Sequence, residues 1–219
     1  MLKPSEARAY YDRFGEKQDS QGFYEDPAIE DLIAHAHFND AEHIFEFGCG
    51  TGRFADEILK KELPHSASYT GCDLSPTMVK IASQRLAPYT DRAQVFQYDG
   101  TIKFDLPDHS VDRVVSTYVL DLLPETGIAA YLREAYRVLR PQGKLCLVSL
   151  TEGTTAISRF VAATWSLVFR VNASIVGGCR PIRLESYIRP ENWSIEYRHV
   201  VVAFGVPSEV IVAGTQFSP

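Results

Sequence analysis

The sequence predicts an α/β fold with a mostly parallel sheet, because strand-like and helix-like patterns alternate over residues 43–150. Short runs rich in β-branched and aromatic residues predict five strands, near residues 43–48, 68–73, 93–98, 111–117 and 144–150. Stretches with helical spacing follow these runs, and this alternation is typical of βαβ units with helices on the sheet faces. The 219 residues have room for one large domain.

The predicted helices have recognisable starts and ends. The first begins near Arg53, directly after a glycine-rich turn. The second begins at Ser75-Pro76, because serine is a favoured N-cap and proline is favoured at the first helical position. A longer helix covers about 125–139, where apolar residues recur every three or four positions. Residues 141–143, Pro-Gln-Gly, are expected to end it.

Two valine-rich runs near the C-terminus, 195–204 and 209–214, flank a Gly-Val-Pro-Ser sequence and predict an antiparallel hairpin. The predicted fold is therefore a Rossmann-like doubly wound sheet, mostly parallel, with an antiparallel C-terminal strand. At the other end, residues 5–24 carry aromatic side chains at helical spacing and then a polar stretch. These residues predict an N-terminal helix and loop packed across the domain.

The charge balance indicates the class of partner. The chain has 22 Lys and Arg against 28 Asp and Glu, a formal net charge of −6, and no basic run longer than Lys60-Lys61. Nucleic-acid binding depends on clustered positive charge, so a nucleic-acid partner is not favoured. We expect a small-molecule substrate.

Cysteine and histidine spacing does not indicate a metal site. The four cysteines are widely spaced and form no CxxC pair, and no HxxxH pair exists. The first residues have no apolar stretch typical of a secretory signal. Reduced thiols and a cytoplasmic location are the corresponding expectations.

The glycine-rich turn after the first strand indicates a ligand site. Gly48, Gly50 and Gly52 precede the helix at Arg53, and glycine allows a ligand to approach the backbone closely. A dinucleotide fingerprint needs a third glycine where Arg53 stands, and no Gly-Lys-Ser/Thr of a phosphate loop follows. The motif that this loop does carry is an acidic residue, Glu46, and then the pattern G-x-G-x-G.

Residues 46–52, EFGCGTG, resemble motif I of the class I S-adenosylmethionine-dependent methyltransferases. Three further elements occur in the order of that family: Asp73 ending the second strand, Asp99-Gly100 ending the third, and a helix, Pro-x-Gly turn and fifth strand over 133–150. The resemblance covers roughly residues 43–150 and implies the cofactor S-adenosyl-L-methionine.

The same resemblance implies how the cofactor is held. Glu46 would lie near its amino group, Asp73 would accept hydrogen bonds from both ribose hydroxyls, and Asp99 would bind the adenine amino group. Leu74 and Met78 would line the adenine ring. The implied cofactor-binding residues are Tyr11, Glu46, Gly48, Cys49, Gly50, Gly52, Asp73, Leu74, Met78, Asp99, Gly100 and Ser116.

The chain looks most like the small-molecule branch that contains quinone-biosynthesis and phospholipid-type methyltransferases. This likeness implies methyl transfer to a small, partly apolar metabolite or lipid. The Asn/Asp-Pro-Pro-Tyr motif of many nucleic-acid methyltransferases is absent, since strand four ends in Ser-Thr-Tyr. A module that binds the cofactor without chemistry is the alternative.

The predicted domain organisation is a single domain over residues 1–219. It consists of an N-terminal cap segment 1–40, a cofactor-binding core 41–150, an apolar substrate-side insertion 151–192 and a hairpin 193–219.

Two features have more than one interpretation. Asp121 follows strand four, where a substrate would approach, so it is either a general base or a loop acid that caps a helix.

Residues 155–178 are apolar but interrupted by Arg159 and Arg170, so they predict a helix and not a membrane span. This helix would complete the core, cover the substrate, or contact a membrane surface, which its few basic residues do not support.

Overall fold

The structure, a computed structural model, describes residues 1–216, and its centre is a mixed sheet. Within these residues the strands are β1 His43–Phe47, β2 Ser68–Asp73, β3 Ala93–Gln97, β4 Val111–Thr117, β5 Leu139–Leu150, β6 Trp193–Ala203 and β7 Val206–Thr215. Their spatial order is β3-β2-β1-β4-β5-β7-β6. The first five run parallel, and β7 pairs antiparallel with both β5 and β6. The predicted fold class is confirmed.

Helices cover both faces of this sheet. Their bounds are α1 Pro4–Phe14, α2 Gly22–His35, α3 Arg53–Lys61, α4 Pro76–Arg85, α5 Glu125–Val138 and α6 Ala156–Val171. Ser75 caps α4 as predicted, because its hydroxyl accepts a hydrogen bond from the Met78 N–H at 3.1 Å. The sequence did not predict α2. This helix packs on β6 and β7, and such long-range packing leaves no local signal.

The transition from α5 to β5 differs from the prediction. The helix ends at Val138 and the strand begins at Leu139, although Pro141 was expected to separate them. The β4–β5 register shifts here, so residues 140–143 form an irregularity between two paired stretches. The predicted C-terminal hairpin is present with a tighter turn at Phe204-Gly205. Residues 217–219 of the predicted hairpin segment lie outside the described residues.

The alternation of side chains along the strands divides the core into two layers. Ile44 of β1 packs with α2 and α3, whereas its neighbour Phe45 packs with α5 on the other face. Residues 155–178 form α6 and a following 3-10 turn, as the helical interpretation predicted. No helix within residues 1–216 is long and apolar enough to cross a membrane.

Candidate functional site

A cavity of about 270 Å³ opens where β1, β2 and β4 end, at the carboxyl edge of the sheet. Ligands of open α/β sheets bind at this edge. The cavity is lined by Met1, Leu2, Pro4, Ala7, Tyr11, Gln18, Gly48, Gly50, Asp73, Leu74, Tyr98, Gly100, Ile102, Thr117, Tyr118, Val119, Leu122, Leu123 and Pro124. Six of the predicted cofactor-binding residues are in this wall: Tyr11, Gly48, Gly50, Asp73, Leu74 and Gly100.

The glycine loop is fixed to the end of β2. The N–H groups of Gly48 and Cys49 both donate to the Cys72 carbonyl, at 2.8 and 3.0 Å. The Gly50 N–H donates to the Asp73 carboxylate at 2.9 Å. Gly48 and Gly50 have φ of +80° and +52°, a region that glycine adopts without the steric cost of a Cβ.

Asp73 joins the glycine loop to helix α4. One carboxylate oxygen accepts from Gly50 and the other from the Ser75 N–H at 2.8 Å. Desolvation of the carboxyl raises the pKa of Asp73 to about 6, and the backbone donors partly offset this effect. Near neutral pH the carboxylate is therefore ionised at the cavity wall, where it can accept hydrogen bonds from a ligand.

Glu46 lies deeper, on β1, and lines a second cavity of about 40 Å³ together with Gly48, Cys49 and Tyr118. The Tyr69 hydroxyl donates to its carboxyl at 2.5 Å. Burial raises the pKa of Glu46 to about 8, with a further contribution from the charge of Asp73. A cationic ligand group at this position would favour the ionised form of the carboxyl.

The N-terminal segment closes over the glycine loop. Asp19 accepts hydrogen bonds from Thr51 in the loop and from Arg85 at the end of α4, both at 2.6 Å. Asp12 accepts from the Ser75 hydroxyl at 2.5 Å. The amide of Gln18 lies above Gly50. These contacts place the segment across the mouth of the cavity.

Four predicted site residues lie next to wall residues without lining either cavity. Met78 is buried on the inner side of α4, and a Cβ on Gly52 would contact Ala82 of the same helix at 3.0 Å. Ser116 donates its hydroxyl to the Phe47 carbonyl at 2.9 Å inside the sheet. The next strand residue, Thr117, lines the cavity instead, because alternate strand residues point to opposite sides. Tyr118 also lines it, from a position just beyond the end of β4.

Asp99 is exposed, and its carboxylate accepts from the Thr101 N–H at 2.8 Å. This hydrogen bond lowers the pKa of Asp99 below its usual range. The residues on either side, Tyr98 and Gly100, line the cavity. The structure thus places the Asp99 side chain in a turn beside the site.

Asp121 is completely buried behind the cavity wall. One carboxylate oxygen accepts from the Leu150 N–H at 3.3 Å, and the other has no hydrogen-bond partner within residues 1–216. Burial raises the pKa of Asp121 to about 7. Tyr11, which lines the cavity, is close enough for the Asp121 charge to raise the tyrosine pKa further above its usual value.

Much of the wall was not predicted from the sequence. Tyr98 carries a recognisable signal, since it follows directly on strand β3. Leu2, Pro4 and Gln18 carry none, because they reach the site through the folding back of the N-terminal segment. Within residues 1–216 no cluster of three or more His, Cys, Asp or Glu side chains could hold a metal ion.

The site has one polar and one apolar end. The glycine loop, Glu46 and Asp73 provide backbone groups and carboxylates, whereas Ile102, Leu122 and their neighbours provide an apolar wall. The arrangement suits a ligand with a cationic group, vicinal hydroxyls and a flat apolar part.

The sequence has curated relatives. Residues 44–143 match a family described as a methyltransferase domain. The tRNA N(3)-cytidine methyltransferase METTL6 of Homo sapiens is 33% identical over 146 residues, which are 62% of this chain and 50% of that protein. Demethylmenaquinone methyltransferase of Symbiobacterium thermophilum is 29% identical over 168 residues, 73% of this chain and 63% of that protein. The chain thus spans 50–63% of the length of these two relatives.

Solved structures share the fold. One chain in the complex of the Haloferax volcanii Trm112 methyltransferase activator with a methyltransferase has a TM-score of 0.71 and 16% identity, covering 94% of this chain and 98% of that chain. An O-methyltransferase family protein from Burkholderia thailandensis has a TM-score of 0.69 and 14% identity, covering 88% and 56%. At these identities the likeness concerns the fold alone.

The two loop glycines are expected to differ in their tolerance of alanine. Both substitutions force a left-handed conformation on an L-residue, at a cost of about 1–2 kcal/mol. In Gly48→Ala the new Cβ would also lie 2.3 Å from a methyl of Val119, whereas in Gly50→Ala it meets the flexible amide of Gln18 at 3.2 Å. We expect Gly48→Ala to lose about 1–3 kcal/mol more free energy of unfolding in urea titrations. Equal losses would contradict the assigned close packing of Val119 on the loop.

Proposed function

We propose that this chain, whose residues 44–143 match a methyltransferase domain family, transfers a methyl group from S-adenosyl-L-methionine to a small, partly apolar acceptor. The observation that carries the proposal is a main cavity with the glycine loop and Asp73 on one side and apolar side chains on the other, next to a second cavity that holds Glu46. The matched family supports the reaction class, and the wall supports the class of acceptor.

The residues at the polar end fit S-adenosyl-L-methionine. Gly48 and Gly50 leave a cradle without Cβ atoms, which permits close approach to the backbone. In our proposal Glu46 pairs with the amino group of the cofactor and Asp73 accepts hydrogen bonds from its ribose hydroxyls. Leu74, at the wall beyond Asp73, contacts the adenine ring.

Bound S-adenosyl-L-methionine supplies a methyl group that the neighbouring sulfonium charge makes electrophilic. The chain then has to align the acceptor and keep water out, which itself accounts for much of the rate of such a displacement. The contacts of Asp12 with Ser75 and of Asp19 with Thr51 and Arg85 hold the N-terminal segment over the site. In this way the segment shields the reacting groups from solvent.

The proposed acceptor is a small molecule. The side chains remote from the glycine loop are nearly all apolar: Met1, Leu2, Pro4, Ala7, Ile102, Leu122, Leu123 and Pro124. The curated relatives include enzymes named for tRNA cytidine and for demethylmenaquinone, so sequence similarity alone leaves both acceptor classes open. The net charge of −6 and the apolar wall support the second class for this chain.

The test is to incubate the full chain with radiolabelled S-adenosyl-L-methionine and either a metabolite and lipid extract or total RNA. We expect label in an extract component that partitions into organic solvent. Label in RNA would overturn the small-molecule acceptor and leave the methyltransferase assignment intact. Cofactor binding without transfer to either pool would favour the alternative, a module that binds the cofactor without chemistry.

Asp73→Asn is expected to weaken cofactor binding. Loss of charge-assisted hydrogen bonds to the ribose should cost about 1.5–3 kcal/mol, roughly a tenfold to hundredfold rise in Kd. Isothermal titration calorimetry measures this change. Asp91→Asn is the matched control, because Asp91 is exposed and lines neither cavity. An unchanged Kd for a folded Asp73→Asn protein would refute the ribose assignment.

Glu46 is expected to make cofactor binding depend on pH. Its pKa of about 8 in the free protein means that the carboxyl must lose a proton before it can pair with a cationic amino group. Affinity should therefore rise as pH increases towards 8 and fall at higher pH, where the amino group of the cofactor loses its own proton. Glu46→Gln should bind more weakly and lose this dependence, whereas Glu57→Gln on the outer side of α3 should keep it. The same slope in wild type and Glu46→Gln would exclude the proposed pairing.

We propose that Asp121, which lies behind the cavity wall, accepts the proton when the acceptor has one to lose. With a pKa of about 7, the wild-type rate should rise through that pH as the carboxylate forms. Asp121→Asn should lower kcat by about 10²–10⁴ and remove the dependence. Retention of the wild-type pH profile in a folded Asp121→Asn protein would show that the carboxyl only holds the loop in place.

A further inference from the structure

The protein has a large exposed apolar surface outside the cavity. Seven large apolar side chains are 57–82% exposed, which makes them the most exposed of their kind within residues 1–216. We call them the apolar surface: Phe23, Ile157, Phe160, Leu167, Val171, Ile175 and Phe204. Contiguous exposed apolar patches on soluble proteins mark sites of interaction.

Helix α6 provides four of these side chains on one face. Ile157, Phe160, Leu167 and Val171 follow helical spacing, while the opposite face, with Ser158 and Ala162, is buried against the domain. A capping box between Thr155 and Ser158 fixes the start of the helix. The domain thus holds α6 in an orientation that presents its apolar face outward.

The tip of the β6–β7 hairpin continues the surface. A Cβ at Gly205 would lie 3.3 Å from Val161 and 3.7 Å from Ile157, so the turn adjoins the first half of α6. The rings of Phe204 and Phe23 are 5.5 Å apart in an edge-to-face arrangement. Side chains from α2, α6 and the hairpin therefore adjoin one another, yet they come from three separate elements.

Phe204 adopts a backbone conformation that is unfavourable for a phenylalanine. Its φ is +51°, in a hairpin turn where asparagine or glycine is preferred. A bulky residue at positive φ is rare and stores strain, and such strain concentrates at functional sites. Because the ring is 82% exposed, the fold gains little packing in return. This position favours a contact with something outside the chain.

Two arginines of α6 lie beside the apolar surface without an acidic partner. Residues 153–184 contain four arginines and no acidic residue, but Arg183 pairs with Glu152 and Arg180 donates to the Asp121 carbonyl. Arg180 and Arg183 lie beyond residues 155–178, the segment whose few basic residues were not expected to support contact with a membrane surface. Arg159 and Arg170 have no ion-pair partner within residues 1–216. An anionic partner is thus complementary to this side of the protein.

We propose that the apolar surface docks on an anionic lipid bilayer, with its side chains at the boundary of headgroups and acyl chains and the arginines at the lipid phosphates. An amphipathic helix with arginine on its polar side is the usual device for such binding. A bilayer also accommodates side chains at any lateral spacing, whereas a protein partner would have to match three separate elements. The proposal does not depend on methyl transfer or on the acceptor.

Vesicle flotation of the full chain, without cofactor, tests this binding. We expect the protein to float with vesicles of phosphatidylcholine and phosphatidylglycerol in equal amounts, and to bind far less to phosphatidylcholine alone or at high salt. Phe160→Ser and Leu167→Ser should each weaken binding by about tenfold or more, given the apolar area lost. Phe96→Ser is the matched control, because Phe96 is 36% exposed on β3 at the opposite edge of the sheet.

Phe204→Asn separates binding from folding. Asparagine tolerates the left-handed turn, so the thermal unfolding temperature should stay the same or rise while vesicle binding falls. A fall in unfolding temperature with unchanged binding would instead make Phe204 a packing residue and count against its role in docking. Ile157→Ser should likewise weaken binding with little effect on stability, since the side chain is exposed.

Three results would overturn the proposal. The first is failure to float with either type of vesicle. The second is equal binding to neutral and anionic vesicles. The third is a dimer in analytical ultracentrifugation that Phe160→Ser dissociates, because the surface would then be an interface between two copies of the chain. Each readout is independent of the transfer assay, so a failure here leaves the proposed reaction untouched, and the converse also holds.

Discussion

The attachment of the glycine loop to the end of β2 determines the shape of the site. The Cys72 carbonyl accepts from Gly48 and Cys49, and the next residue, Asp73, accepts from Gly50. Because β1 and β2 are neighbours in a parallel sheet, these hydrogen bonds place the loop and the Asp73 carboxylate together at the carboxyl edge of the sheet. Gly48 and Gly50 adopt a positive φ here, and Val119 and Gln18 pack where their Cβ atoms would lie.

Buried acids give this edge of the sheet a distinct electrostatic character. Burial raises the pKa of Glu25 and Asp121 to about 7 and that of Glu46 to about 8. Carboxyls that are partly protonated near neutral pH become ionised when a cation arrives, so the free site is tuned for a positively charged ligand. Arg53 pairs with Glu25, and the charge of Arg180 acts on Asp121, which leaves Glu46 without a cationic partner of its own within residues 1–216.

Three aromatic side chains in contact with one another lie between helix α6 and the cavity. Trp165 of α6 contacts Tyr24, and Tyr24 contacts Tyr118, which lines the cavity. The Trp165 indole also donates to the Cys179 carbonyl at 3.1 Å, close to the place where Tyr11 meets the same residue. A lipid surface on the outer face of α6 would thus adjoin the proposed acceptor side of the site.

Local patterns in the sequence determined the strands, the glycine loop and Asp73, since strand alternation and turn chemistry act over a few residues. Helix α2 depended on long-range packing, which leaves no such pattern. The aromatic spacing of residues 5–24 predicted an N-terminal helix and loop across the domain, and the tertiary structure decided that Gln18 meets Gly50. The tertiary structure also decided that Thr117 and not Ser116 lines the cavity, because the register of a strand in the sheet sets the side on which each side chain lies. It decided which face of α6 is buried, since apolar residues occur both on the buried and on the exposed face and only the domain beside the helix selects one of them.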